Sequence, residues 1–192
     1  MWEEILRASI ALFVIVDPLG NMPIFISLTS NIDVKKRKHV LNVATLTAAL
    51  LLIIFALIGQ QLLAFFNISL QSFMIAGGIL LLIIAVRILV AGEWTEKVVY
   101  PDEVGAVPFA FPLLAGPGAI TTTIVTMQTT NLLVALVSIG IVSIASWIIF
   151  RLIDRIYSIL GRTGLAIIAR LMAVFIAAIA IQYLITGLKS YF

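Results

Sequence analysis

The chain has 192 residues, of which 62% are hydrophobic and 11% charged, and its mean hydropathy is +1.22. A soluble domain carries about 45–50% apolar and about 25% charged residues, so this composition predicts an integral membrane protein with no room for a separate soluble domain. The lack of cysteine excludes a disulfide framework, a thiol enzyme and a cysteine-ligated metal, and the net charge of +3 reads as loop lysines and arginines that orient spans rather than as a nucleic-acid surface.

The first apolar segment covers residues 5–29, enough for a helix that crosses a bilayer. Glu3 and Glu4 stand where a signal peptide would be basic, so this reads as a first span and not a leader. The centre of the segment is Asp17-Pro18-Leu19-Gly20-Asn21-Met22-Pro23. Pro18 and Pro23 each lack the N–H that a helix needs and clash with the preceding turn, and Gly20 removes the Cβ penalty for leaving the helical well. Two half-helices joined by an unwound patch are expected, and such a patch must face protein or a polar cavity, because bare backbone is not tolerated against lipid.

A basic connector, 31–39, leads to span two at 40–63, which opens with Asn42, Thr45 and Thr47 and closes near Gln60 and Gln61. A short turn at 67–69, which also spells a glycosylation acceptor, precedes span three at 71–91, where Ala76-Gly77-Gly78 marks close helix packing. The connector 92–105 is acidic, with Glu93, Glu96, Asp102 and Glu103.

The fourth segment, 106–127, is interrupted like the first, by Pro112-Leu113-Leu114-Ala115-Gly116-Pro117-Gly118. An uncharged turn at 128–131 leads to span five, which ends near 149 and whose Ser138, Ser143, Ala145 and Ser146 read as small packing residues. A basic connector, 151–162, and a sixth span, 165–188, complete the chain.

The proline pairs share one spacing (23 − 18 = 5, 117 − 112 = 5), and the pairs stand 112 − 18 = 94 residues apart. The span-three ending at Gly92 and the span-six ending at Gly187 stand 187 − 92 = 95 apart. The fold class expected is therefore an all-α membrane protein: six transmembrane helices as an inverted 3+3 repeat, with helices 1 and 4 broken at mid-membrane. It forms a single transmembrane domain, 1–192, with repeats 1–94 and 95–192. Lys35, Lys36, Arg37, Lys38, Lys97, Arg151, Arg155 and Arg162 fall on one face, against Arg7 and Lys189 on the other. The positive-inside bias then places the protein in the cell membrane as a multi-pass chain with both termini outside.

Matched Gly/Pro-interrupted segments point to a transporter binding site. The substrate-binding candidates are Asp17, Pro18, Gly20, Asn21 and Pro23 from the first break and Leu114, Gly116, Pro117, Gly118, Thr121 and Thr122 from the second. Asp17 is the deep acid. It is a candidate for ion or proton coupling or for binding a substrate ammonium, and equally for capping the second half-helix through the Leu19 or Gly20 N–H. The half-helix N-termini suit a carboxylate, and the carbonyl ends before Asp17 and at Leu114 suit an ammonium or a cation. The threonine run reads first as packing. An enzyme is not expected, because the spans hold no nucleophile–base pair or metal ligands. Export of another small solute, or a channel, remains an alternative.

The segments Asp17-Pro18-Leu19-Gly20-Asn21-Met22-Pro23, Pro112 to Thr121, Ala76-Gly77-Gly78-Ile79-Leu80-Leu81 and Arg170-Leu171-Met172 together resemble the MarC family, in particular members described as small neutral amino-acid transporters of the SnatA type. The resemblance covers the whole chain and implies six spans, no cofactor, and transport of glycine, alanine and similar amino acids on a proton or sodium gradient. The partners it implies are a small neutral amino acid, a coupling ion and the lipid bilayer, with no nucleic acid. A zwitterion needs both poles close together, which broken helices present, and Gly, Pro, Ala and Thr leave room for a small side chain.

Overall fold

The computed structural model describes residues 1–29, 33–91 and 109–189. The expected acidic connector at 92–105, with the Gly92 end of the first repeat, lies outside them, as do the side chains of Pro23, Pro112 and Arg162. Among the described residues every regular element is a helix, without a strand. They form α1 (Trp2–Val16), α2 (Met22–Thr29), α3 (Val34–Phe65), α4 (Leu70–Ala91), a wide π-type turn (Phe109–Leu114), α5 (Pro117–Thr129), α6 (Leu132–Arg151) and α7 (Ile153–Lys189). Among the described residues four stretches are long and apolar enough to cross a membrane: Lys35–Phe65, Leu70–Val90, Leu132–Arg151 and Thr163–Lys189. The first and fourth apolar segments are absent from that set, because each is divided into pieces too short to qualify.

Two expected connectors are helical instead. The basic stretch after Asp33 forms the first turns of α3, with the Arg37 N–H donating to the Asp33 carbonyl at 2.8 Å. Lys and Arg are good helix formers, so the helix begins well before its apolar part. The stretch 153–162 is likewise the start of α7, held down by buried Ile153 and by Ile156 and Leu160 against the core. Gly161, at φ 61°, ψ −175°, bends it before the apolar stretch begins. Between α3 and α4 the chain turns at Asn67, whose left-handed φ of 54° ends α3 while the Ile68 N–H closes back onto the Leu63 carbonyl at 2.8 Å. Asn131 caps α6, its side chain accepting from the Val134 N–H at 3.0 Å.

α4 packs along α7, α3 along α6, and α5 lies among α1, α3, α4 and α6. Without water to drive apolar helices together inside lipid, association rests on close packing of small residues. A Cβ on Gly78 would sit 2.9 Å from the Ala180 carbonyl oxygen, and one on Gly187 would sit 3.0 Å from that of Gln71. Gly78→Ala is therefore expected to push α4 off α7 and to cost about 1–3 kcal/mol, as overpacking does. The measurement is a lowered thermal midpoint in detergent; an unchanged midpoint would show that the contact yields freely.

One end of the bundle gathers the end of α2, the start of α3, the π turn, the end of α6 and the start of α7. There Phe25, Phe109 and Phe150 are all fully buried, with ring centroids 4.8 Å (25–109), 5.4 Å (25–150) and 5.0 Å (109–150) apart. The Arg37 guanidinium lies 5.6 Å from the Phe25 ring centre and pairs with Asp154 at 3.0 Å.

Candidate functional site

α1 ends at Val16 because the following residues withdraw its donors. The Asp17 N–H closes the last turn onto the Phe13 carbonyl at 2.9 Å. Pro18 then has no N–H for the Val14 carbonyl. Asp17 adopts φ 44°, ψ 60°, a left-handed conformation that Asp and Asn tolerate because a short polar side chain can bond locally. Its carboxylate does so: Oδ1 accepts from the Gly20 N–H at 2.9 Å.

In an unbroken helix that N–H would serve the Val16 carbonyl. Here the Asn21 side-chain amide serves it instead, donating to Val16 O at 2.9 Å, while the Asn21 main-chain N–H donates to the Asp17 carbonyl at 3.0 Å. Asp17 and Asn21 thus stand in for the backbone on either side of the interruption, and these buried polar groups are satisfied within the chain. Gly20 is required: a Cβ there would fall on the Asp17 carboxylate, 2.7 Å from Cγ and 2.9 Å from Oδ1.

The second interruption is built differently. The π turn holds Phe111 at φ −133°, ψ 127° and closes with the Ala115 N–H on the Ala110 carbonyl at 2.8 Å. Such wide turns recur at functional sites. Gly116, extended at φ −71°, ψ 173°, precedes Pro117 at the start of α5, and no side chain caps this helix. Its first helical bond runs from the Ile120 N–H to the Gly116 carbonyl at 3.0 Å. The earlier amides at Gly118 and Ala119 belong to buried residues and face the cap position without a side-chain acceptor. A helix start of this kind favours an anion such as a carboxylate.

The two interruptions adjoin. A Cβ on Gly118 would lie 3.1 Å from Ile15 Cγ2, and Val16 and Leu114, the last residues of α1 and of the π turn, line one cavity. The last turn of α1, at Ile15 and Val16, therefore lies against Gly118 and Leu114. Pro18 is buried and Pro117 exposed.

Thr121 and Thr122 turn elsewhere. The Thr121 hydroxyl donates to the Pro117 carbonyl at 2.8 Å, and its side chain fills the space over Gly77. The Thr122 hydroxyl donates to the Gly118 carbonyl at 2.9 Å and accepts from the Tyr183 hydroxyl at 3.0 Å. Both act as packing between α5, α4 and α7. Three hydroxyl residues not among the sequence candidates line the cavity, Thr45 from α3 and Ser143 and Ser146 from α6. Their sequence signal was only a hydroxyl in a hydrophobic span, which the small-residue packing rule absorbs equally well.

The family model described as MarC family integral membrane protein matches residues 2–192. The chain is 39% identical to the UPF0056 membrane protein of Archaeoglobus fulgidus over 191 residues, covering 93% of this chain and 89% of that protein. It is 35% identical to the UPF0056 membrane protein YhcE of Escherichia coli over 196 residues, covering 95% and 91%. It is 37% identical to a UPF0056 membrane protein of Methanocaldococcus jannaschii over 196 residues, covering 94% and 93%. No solved structure matches the chain.

Proposed function

Because this chain belongs to the MarC family of integral membrane proteins, we propose that it is a secondary active transporter of small neutral amino acids, glycine and alanine among them, driven by a proton or sodium gradient. The observation that carries this reading is that the last turn of α1 adjoins the uncapped amide end of α5, with Ile15 Cγ2 3.1 Å from where a Cβ on Gly118 would sit. A zwitterion held there would turn its carboxylate to the α5 amides and its ammonium to the α1 carbonyls, with Asp17 beside it. Ile15 and Leu81 crowd Gly118, which leaves room for a small side chain.

In this reading the chain makes six crossings, the first as α1 with α2 and the fourth as the π turn with α5, arranged as an inverted 3+3 repeat. The buried faces of α4 and α7 support it. Met74, Leu81 and Ala85 are buried on α4, and Ala169, Ile176 and Ala180 on α7, each pair 95 residues apart (176 − 81 = 95). Two units that bury the same face against each other at a constant offset form the kind of pair that can rock about a central site. The Phe25–Phe109–Phe150 cluster, tied by Arg37 and Asp154, closes one end. It must part when the site opens to that side.

The test is uptake of labelled glycine by purified protein in vesicles, with proton and sodium gradients imposed separately. Saturable, gradient-driven uptake with counterflow is expected. A non-saturating leak that ignores both gradients would replace the carrier with a channel.

A further inference from the structure

The outer side of α7 carries a charge that the transport reading does not use. On this helix Leu165, Ala169 and Ala173 are buried against the bundle, while Ile167, Leu171 and Val174 are 56%, 55% and 54% exposed. The exposed stripe follows the helical period and faces acyl chains. Arg170 belongs to it: the residue is exposed, and among the described residues it makes no ion pair. A guanidinium set among lipid-facing side chains needs an anion or water for its five donors.

Depth decides which anion reaches it. The apolar stretch Thr163–Lys189 has 27 residues, about 40 Å of helix, against a hydrocarbon core about 30 Å thick. Centred on the bilayer, it overhangs by about 5 Å at each end. Arg170 stands seven residues in (170 − 163 = 7), about 10 Å along the helix, and so about 5 Å below the hydrocarbon boundary. An arginine snorkels over that distance, its stem along apolar neighbours and its head among the phosphates.

The headgroup layer at this end is positive. Trp147 marks its level near the end of α6, as interfacial tryptophans do, and the Arg151 guanidinium lies 4.9 Å from its ring. Arg37 and Asp154, paired at 3.0 Å, hold the start of α3, with exposed Lys35, Lys36 and Lys38, beside the start of α7, with exposed Arg155. Among the described residues the acids of this layer are Asp33 and Asp154, and the second is already paired. Such an excess of cations selects lipids of net negative charge.

We propose that Arg170 binds one anionic phospholipid, its guanidinium forked onto the headgroup phosphate and an acyl chain lying along Ile167, Leu171 and Val174. The site is independent of what the protein carries. It fixes the depth of α7 in the bilayer just past the bend at Gly161.

The experiment is thermal unfolding of the purified full chain in neutral detergent micelles containing dioleoyl phosphatidylglycerol or dioleoyl phosphatidylcholine. Phosphatidylglycerol raises the midpoint saturably, and phosphatidylcholine does not. Arg170→Gln melts with the parent when no lipid is added, because the side chain is exposed, and raises the half-saturating phosphatidylglycerol fraction by about tenfold or more. Arg170→Lys, which keeps the charge and loses the fork, falls between the two. Lys36→Gln removes a charge of the headgroup layer outside the site and shifts half-saturation less than Arg170→Gln does. A parent indifferent to phosphatidylglycerol would overturn the site. Equal effects of Arg170→Gln and Lys36→Gln would overturn it too, leaving a diffuse basic layer. So would a parent that is dimeric in lipid-free micelles and becomes monomeric in Arg170→Gln, which would assign this face to a second copy of the chain.

Discussion

Asp17→Asn is expected to yield a folded, inserted protein whose glycine uptake no longer responds to an imposed proton gradient, with gradient-driven uptake reduced by about tenfold or more. The substitution isolates charge from structure. Asparagine tolerates the left-handed conformation found at φ 44°, and its amide oxygen can accept the Gly20 N–H as Oδ1 does at 2.9 Å. The cap therefore survives, and the thermal midpoint should stay near the parent's. What disappears is the ionisable group of the first interruption, where an acid in a hydrophobic segment is otherwise costly. Reconstituted vesicles with and without a pH step provide the measurement. Unchanged gradient-driven uptake would remove Asp17 from the coupling mechanism and leave it as a cap.

Gly20→Ala is expected to fail in both respects. The added Cβ occupies the place of the Asp17 carboxylate, so Asp17 must swing away and release the Gly20 N–H. A buried donor left unsatisfied costs about 1–3 kcal/mol, and the displaced carboxylate loses its bond from the Gly20 N–H. Transport should fall at least as far as in Asp17→Asn, now with a lower thermal midpoint. The comparison separates the roles: loss of transport at parental stability belongs to the charge, and loss of both belongs to the interruption itself. A Gly20→Ala protein with parental stability and uptake would mean that Asp17 can leave its cap freely.

Much of the site is chemistry that the local sequence dictates. Proline without an N–H, glycine without a Cβ and an aspartate before proline are sufficient to end α1 at Val16 and start α2 at Met22, and Gly116-Pro117 is sufficient to start α5. The cap at Gly20 is an interaction over three residues and was foreseeable for that reason. Hydropathy, by contrast, reports only the part of a helix at membrane depth. It therefore shortened α3 and α7, whose first turns are amphipathic or basic and are held by Asp154 and by the packing of Ile153. The threonine run illustrates a different limit. All of Thr121, Thr122 and Thr123 are buried, so periodicity on α5 could not say which neighbour each would meet; Gly77 and Tyr183 settle that for the first two.

The amino-acid order alone determined that this is a helical membrane protein, where its first and fourth apolar segments stop, and how the chain caps the first stop from within. Those outcomes depend on bonds and clashes between residues a few positions apart, which any neighbours would leave in place. Only the tertiary arrangement decided that Val16 and Leu114 share a cavity with Thr45 and Ser146. Which face a helix turns inward is fixed by the steric fit of glycines such as Gly78 on the Ala180 carbonyl, between residues far apart along the chain, and inside lipid no water is present to choose that face by polarity.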